Sequence, residues 1–356
     1  MRSGKLTLDY IFKRLLLSWI VKAKLLIFCF ILLYFQALYS QDNPVATIIE
    51  DTTELKLHEK QIEKGLAYYD WRPYNPAKTK WLYGITASLY TGSMIGLNHL
   101  WYADYPKSKF HWYNDNKQWL QIDKIGHTYS AYVESLLFLR ALEWSGVEHK
   151  KAAWIAGGFG FLAQTVIEVL DGFSAEWGAS SGDLIANTLG SAIVTGQELI
   201  WAEQKLAMKW SFHPVNYPSG SLSKRAHKLY GNKWYESFLK DYNGQTYWIT
   251  TSIGAWKPKS KYPKWIALSI GYGAEQMYGG DDNTWDSNND GIRDVNRNDI
   301  PRLRQFYLTF DVDLNRIETK NPLLKKALIL LNIIKVPFPT LSYSNDGRFR
   351  FHPIYF

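Results

Sequence analysis

The chain has 356 residues, a formal net charge of +8 and one cysteine. Of its 41 Lys/Arg and 33 Asp/Glu, six and one fall in the first 40 residues, which leaves a net +3 elsewhere and no case for a nucleic-acid partner. Cys29 lies in that same leader, so disulfides and thiolate chemistry are excluded from the rest of the chain.

Residues 1–40 read as a signal peptide or N-terminal anchor. Lys22 and Lys24 precede an apolar run from Leu25 to Phe35, and Ser40 supplies a small residue at the cut. Leu26-Ile-Phe28 lacks the small residue expected before a lipidated cysteine, so lipid attachment at Cys29 is not expected. Residues 41–75 are polar and mixed, a linker. Four apolar segments follow, near 81–102, 125–147, 152–170 and 184–201. No charged residue occurs from Trp81 to Ala103, from Ala152 to Ile167 or from Leu184 to Gln197. These lengths approach the ~20 residues that span a bilayer and equally fit a buried bundle.

At helical spacing each segment carries one small or polar stripe. The first reads Gly84, Ser88, Thr91, Asn98; the second Asp123, His127, Ser130, Glu134. The third reads Gly157, Gly160, Gln164, Glu168, Asp171; the fourth Asp183, Asn187, Gly190, Gln197. The economical packing turns these stripes inward and the apolar remainder towards lipid or other protein. The expectation is an apolar four-helix bundle over 76–205 with an internal polar site, with a membrane-embedded and a soluble bundle both left open.

Residues 206–240 are basic, aromatic and rich in turns, a connector. Strand patterns occupy 241–356. Phe306, Leu308 and Phe310 alternate with Tyr307, Thr309 and Asp311; Ile266, Leu268 and Ile270 alternate with Ala267, Ser269 and Gly271. Tyr247 to Ile253 and Arg348 to Phe356 give two more runs, with an apolar helical stretch from Leu323 to Ile334. Period two indicates half-covered antiparallel strands, so the fold class is α+β: a bundle followed by a small antiparallel sheet. Four strands are too few to close a transmembrane barrel. The 16 Trp and 24 Tyr suit a membrane interface or an aromatic-rich core. The Lys/Arg clusters at 223–225 and 257–261 suit a solvated surface or a seat for anionic headgroups.

Three short stretches hold most of the chemistry: Asp123-Lys124-Ile-Gly-His127, Glu168-Val-Leu-Asp171, and Asp183-Leu-Ile-Ala-Asn187. Ionisable groups on helices this apolar are costly unless they meet one another, a ligand or water. Three readings stand. The imidazole and carboxylates suit a metal; His127, Glu168 and Asp183 suit acid/base catalysis; the whole set suits a structural network. Gly178-Ala-Ser180-Ser-Gly182 spells a nucleophile elbow, but a helix precedes it, so Ser180 or Ser181 is expected to cap the fourth helix. Asp286, Asn288, Asp290 and Asp294 follow a calcium-loop pattern for weak Ca2+ binding, or form an Asn/Asp-rich hairpin loop.

Phe110-His-Trp-Tyr-Asn-Asp-Asn-Lys to His127, Glu168 to Gly178, Asp183 to Asn187, and Asp241-Tyr-Asn-Gly-Gln-Thr-Tyr-Trp248 resemble the YfiM-like family. That family is described as periplasmic lipoproteins of unknown function, and the resemblance covers roughly residues 75–356. The order Asp123, Lys124, His127, then Glu168, then Asp183, Asn187, Gly190 is similar to VanZ-like proteins, small four-helix membrane proteins. An arginine expected between the Glu and the second Asp is missing here, where Trp177 and Gly178 occupy the intervening stretch. The resemblances imply an exported, periplasmic and membrane-associated envelope protein, with inner or outer membrane left open. The expected role is non-enzymatic binding of an envelope lipid, glycan precursor or partner protein. The alternative is a metal-assisted or acid/base hydrolase or transferase acting on such a molecule.

Overall fold

The structure, a computed structural model, describes residues 73–98, 102, 106–259, 261–288 and 291–355. The leader and most of the 41–75 segment lie outside the described residues. The first helix, α1 (Pro76–Leu97), is anchored at its start by Asn75 and Thr79. The Asn75 N–H donates to Ser145 O at 3.0 Å, and Thr79 Oγ1 donates to Ser145 Oγ at 3.1 Å. From Lys80 the chain to Tyr105 belongs to a separate compact unit.

Three helices of the larger unit pack on one another: α2 (Ile122–Trp144), α3 (His149–Gly172) and α4 (Ser181–Trp201). Their boundaries follow local chemistry. Glu148 caps α3, accepting the Lys150 and Lys151 N–H groups at 3.1 Å, and Ser180 caps α4, accepting from the Asp183 N–H at 3.2 Å. Small residues bring the axes close. A Cβ on Gly160 would fall 2.6 Å from Ala131 O, and one on Gly190 would fall 2.1 Å from Thr128 O. Gly160 thus sets the α2–α3 approach, and Gly190 the α2–α4 approach.

The stripes of α2, α3 and α4 face inward, whereas Gly84, Ser88, Thr91 and Asn98 on the first segment are exposed, so the polar centre is built by three helices and not the expected four. Gln164 and Glu168 on α3 and Asp183, Asn187, Gln197 and Glu198 on α4 are buried. Trp154 and Leu162 on α3, and Ile185, Leu189 and Ile200 on α4, are more than half exposed. Among the described residues, α3 is long and apolar enough to cross a membrane.

The chain then enters β1 (Leu206–Phe212), where the sequence suggests only a connector, followed by α5 (Ser221–Tyr230) and α6 (Trp234–Lys240). Next come β2 (Gln245–Ser252), a short α7 (Ile253–Trp256) and β3 (Ile266–Glu275). A small hairpin, β4 (Thr284–Trp285) and β5 (Val295–Asn296), precedes β6 (Leu303–Val312). Helix α8 (Pro322–Leu331), β7 (Phe338–Ser344) and β8 (Phe349–Tyr355) complete the chain. Six strands rather than four make one antiparallel sheet in the order β1-β2-β3-β6-β7-β8. Helix α2 packs on its β1–β2 end, where Tyr129 Oη donates to Ile333 O at 2.8 Å.

The covered face of this sheet is the polar one. Along β6, Gln305, Tyr307, Thr309 and Asp311 are buried, while Phe306, Leu308 and Phe310 are 47–59% exposed. The sheet curls so that strands distant in its order meet inside. Lys209 of β1 lies 3.1 Å from Asp311 of β6, and Lys335, just before β7, lies 3.5 Å from the same carboxylate. Thr250 and Ser269 also donate to Asp311. Tyr355 of β8 packs tilted against His213, which follows β1, at 5.5 Å between ring centroids. Buried charges are tolerated here because each is paired and hydrogen-bonded, as burial requires.

Candidate functional site: a polar centre at one end of the bundle

The start of α2, the end of α3 and the start of α4 meet at one end of the bundle. A strained approach sets the entry to α2. Trp119, Leu120 and Gln121 all have positive φ, at 50°, 49° and 66°. Each costs about 1–2 kcal/mol for a residue with a Cβ. Tertiary bonds offset this: the Trp119 N–H donates to Gly280 O at 2.7 Å, while Leu120 O accepts from Tyr272 Oη at 2.5 Å and Arg304 Nη1 at 3.0 Å. The bent segment delivers Asp123, Lys124 and His127 into the bundle on the first turns of α2.

Lys124 is the hub. Its ammonium lies 2.7 Å from Asp115, 3.2 Å from Asp123 and 2.9 Å from Asp183. Tyr242 Oη donates to the other oxygen of Asp123 at 2.7 Å. Ser180 joins three elements at once: its N–H donates to Glu168 Oε2 at 3.0 Å, its hydroxyl donates to Asp115 Oδ1 at 2.5 Å, and the same hydroxyl caps Asp183. Asp183 in the first turn of α4 also complements the helix dipole.

His127 sits one turn further in. Its Nδ1 donates to Asn187 Oδ1 at 3.1 Å, which bridges α2 and α4. Nδ1 is 3.6 Å from Glu168 Oε1, and Nε2 is 3.9 Å from Asp183 Oδ1, both beyond ordinary hydrogen-bond reach. Deeper still, Gln164 donates to Glu134 Oε1 at 2.7 Å. Four buried polar atoms in this region have no hydrogen-bond partner among the described residues: Glu168 Oε1, Asp183 Oδ1, Asn187 Nδ2 and Glu134 Oε2. Three are acceptors and one is a donor; Asp183 Oδ1 has the Lys124 ammonium 2.9 Å away as an ion pair.

Asp123, Lys124, His127, Glu168, Asp183 and Asn187 are therefore brought together. Asp171 lies one turn past Glu168, half-buried, and adds its negative charge to that carboxylate's surroundings. Asp123, His127 and Asp183 are close enough to share a metal ion. However, the Lys124 ammonium stands between the two carboxylates, so a cation there has to displace it. Asp115, Ser180 as a three-way link, and Tyr242 are absent from the sequence reading as site residues. Asp115 and Tyr242 lie in stretches that carry the family resemblance, whereas Ser180 falls between two of them and is signalled in the sequence only as a helix cap.

Tyr242 is held by a lock beside the centre. Tyr217 Oη donates to Asp241 Oδ1 at 2.7 Å, the Asn243 N–H donates to the same oxygen at 3.1 Å, and the Met277 N–H donates to Asn243 Oδ1 at 2.8 Å. Burial pushes the Asp241 carboxyl above its usual range, opposed by the Tyr217 and Asn243 bonds. Burial likewise raises the Tyr217 hydroxyl, and Asp241 raises it further.

A second buried cluster, not foreseen, closes the far end of the bundle. Arg140 lies 2.7 Å from Glu143 and 2.9 Å from Glu198, and His149 lies 2.9 Å from Glu143. It ties α2, α3 and α4 together. In the loop between β4 and β5, Asp286 accepts the Asn288 and Gly291 N–H groups, and Asp294 accepts the Ser287 N–H. These are bonds of a turn-rich hairpin. Asp290 lies outside the described residues.

No curated protein and no solved structure matches the chain. The family match is narrower than the 75–356 span of the resemblance and leaves the sheet outside it. Residues 111–196, which carry the polar centre from Asp115 to Asn187, match the family model DUF2279, described as a predicted periplasmic lipoprotein.

Proposed function

We propose that this chain is a membrane-associated envelope protein whose polar centre binds a hydroxyl-bearing envelope molecule, a lipid headgroup or glycan precursor, without transforming it. The observation that carries this is the set of unpartnered buried atoms around His127. A buried polar atom left unpaired costs ~1–3 kcal/mol, and a hydroxyl, donor and acceptor at once, answers both Asn187 Nδ2 and Glu168 Oε1. Asp115, Asp123, His127 and Lys124 keep between 14% and 19% of their side chains exposed, so the centre is reached from the end of the bundle. The outward apolar faces of α3 and α4 support the membrane seat, since water penalises such a surface and lipid does not.

The enzymatic reading has one observation in its favour: Asn187 orients His127, as a general base requires. Against it, His127 Nε2 points towards Asp183 and the Lys124 cluster, where the charges already answer one another.

Native mass spectrometry of the protein released from its own membranes tests the binding reading. A bound lipid or glycan mass is expected on the wild type and is lost in Asn187→Leu. A folded wild type carrying no adduct, with only water at the centre in a high-resolution structure, overturns it.

A further inference from the structure

The polarity of the curled sheet is reversed relative to a sheet folded in water. Its enclosed face holds Lys209, Asp311, Lys335, Gln305 and Thr309, and its outer face is apolar. The outward residues form rows across the paired strands. Ile249, Ile270, Leu308, Leu341 and Phe351 are register partners in one row, all 44–63% exposed. Two residues along, Phe306, Tyr343 and Phe349 form an exposed aromatic row, and their register partner Tyr272 is half-buried, with its hydroxyl on Leu120 O. At the opposite end of the strands stand Trp256, Tyr262 and Trp265, exposed at 52%, 71% and 40%.

The spacing and charge of these bands carry an argument. From Tyr272 back to Trp265 the strand covers about 24 Å at ~3.4 Å per residue. An apolar band of roughly 25 Å between two aromatic girdles is how a β-wall faces a bilayer. The Trp256–Trp265 end is rimmed by exposed Lys257, Lys259, Lys261 and Lys264. Beyond the other aromatic row the chain runs into the loop that bears exposed Asp281 and Asp299. A Lys rim directly outside a Trp/Tyr belt is complementary to anionic lipid headgroups.

We infer that the outer face of the β3-β6-β7-β8 wall lies against lipid acyl chains, with the Lys257–Lys264 rim on an anionic headgroup layer. The inference rests on the membrane-associated reading and assigns the surface that makes the contact; it does not depend on a ligand at the polar centre. The enclosed polar core then takes the place of the polar lumen of a membrane barrel, filled by side chains instead of water.

Site-directed spin labelling tests it. In the Cys29→Ser full-length protein, single cysteines replace Leu308, Leu341 or, as a water-facing reference, Asp299, each carrying a nitroxide. The protein is reconstituted with vesicles of phosphatidylethanolamine and phosphatidylglycerol. Labels at 308 and 341 are expected to collide preferentially with oxygen, and the label at 299 with a water-soluble nickel chelate. If the protein floats with the vesicles but the 308 and 341 labels meet nickel, or are immobilised against a second copy, the wall assignment falls and the membrane-associated reading stands. If the protein does not float, both fall. Glutamine at 257, 259 and 261 is expected to weaken binding to phosphatidylglycerol vesicles several-fold, with binding to phosphatidylcholine unchanged; equal binding to both lipids by wild type and variant overturns the headgroup assignment.

Discussion

Lys124→Met asks most directly whether the polar centre is held by charge. Among the described residues, the lysine is the one cation within 3.2 Å of Asp115, Asp123 and Asp183, and its side chain is only 14% exposed. Removing it leaves three carboxylates facing one another in a partly dry site. Breaking a buried pair by deleting one partner costs about 3–5 kcal/mol, and the 17–19% exposure of Asp115 and Asp123 places the expected loss near the lower bound, ~3 kcal/mol. The double variant Lys124→Met/Asp183→Leu removes one of the stranded charges. Its cost should fall short of the sum of the single variants by roughly 1–3 kcal/mol. Lys117→Met, at an exposed position in the same segment, is the control and should stay within about 0.5 kcal/mol of wild type. Guanidinium unfolding in detergent, followed by tryptophan fluorescence, measures wild type and the four variants, the single Asp183→Leu included. A Lys124→Met variant as stable as the control, or strict additivity in the double variant, would refute the charge-hub account.

The remaining predictions address packing, backbone and pH. Gly190→Ala puts a Cβ 2.1 Å from Thr128 O, a backbone atom that yields only if α2 and α4 separate; thermal unfolding should show a loss of ~1–3 kcal/mol, and an unchanged midpoint would contradict the close packing. Ala202 ends α4 at φ 56°, so Ala202→Gly should stabilise by about 1 kcal/mol in the same assay, and a loss would mean that its methyl group matters more than its backbone. The raised Asp241 carboxyl contributes stability below its ordinary range that is lost as pH rises through its folded-state value. Asp241→Asn, which retains an acceptor for Tyr217 and Asn243, should therefore lose less stability than wild type between acid and neutral pH; parallel stability–pH curves would remove Asp241 as the source.

Much of the bundle was legible because its signals are local. Spacings of three and four place Asp123 with His127 and Asp183 with Asn187 on shared faces whatever surrounds them, and Ser180 before Asp183 is a capping pattern that needs no partner outside α4. The alternation along β3 and β6 likewise marks strands. What the alternation does not contain is which face is covered. Period two is symmetric between the faces, and only the curl that brings Lys209, Asp311 and Lys335 together makes the polar face the enclosed one. The first strand, Leu206-Ala-Met-Lys-Trp-Ser-Phe212, shows no clean alternation, because Met208 faces the bundle side while Lys209 turns into the core, and its place is set by pairing with β2. Asp115 and Tyr242 joined the polar centre for the same reason. They lie 8 residues before and 119 residues after Asp123, in segments without a periodic face, and only the left-handed bend at 119–121 and the lock around Asp241 carry them to Lys124 and Asp123. Local periodicity is written in neighbouring residues; long-range pairing is settled by which buried charges find partners when the chain closes on itself.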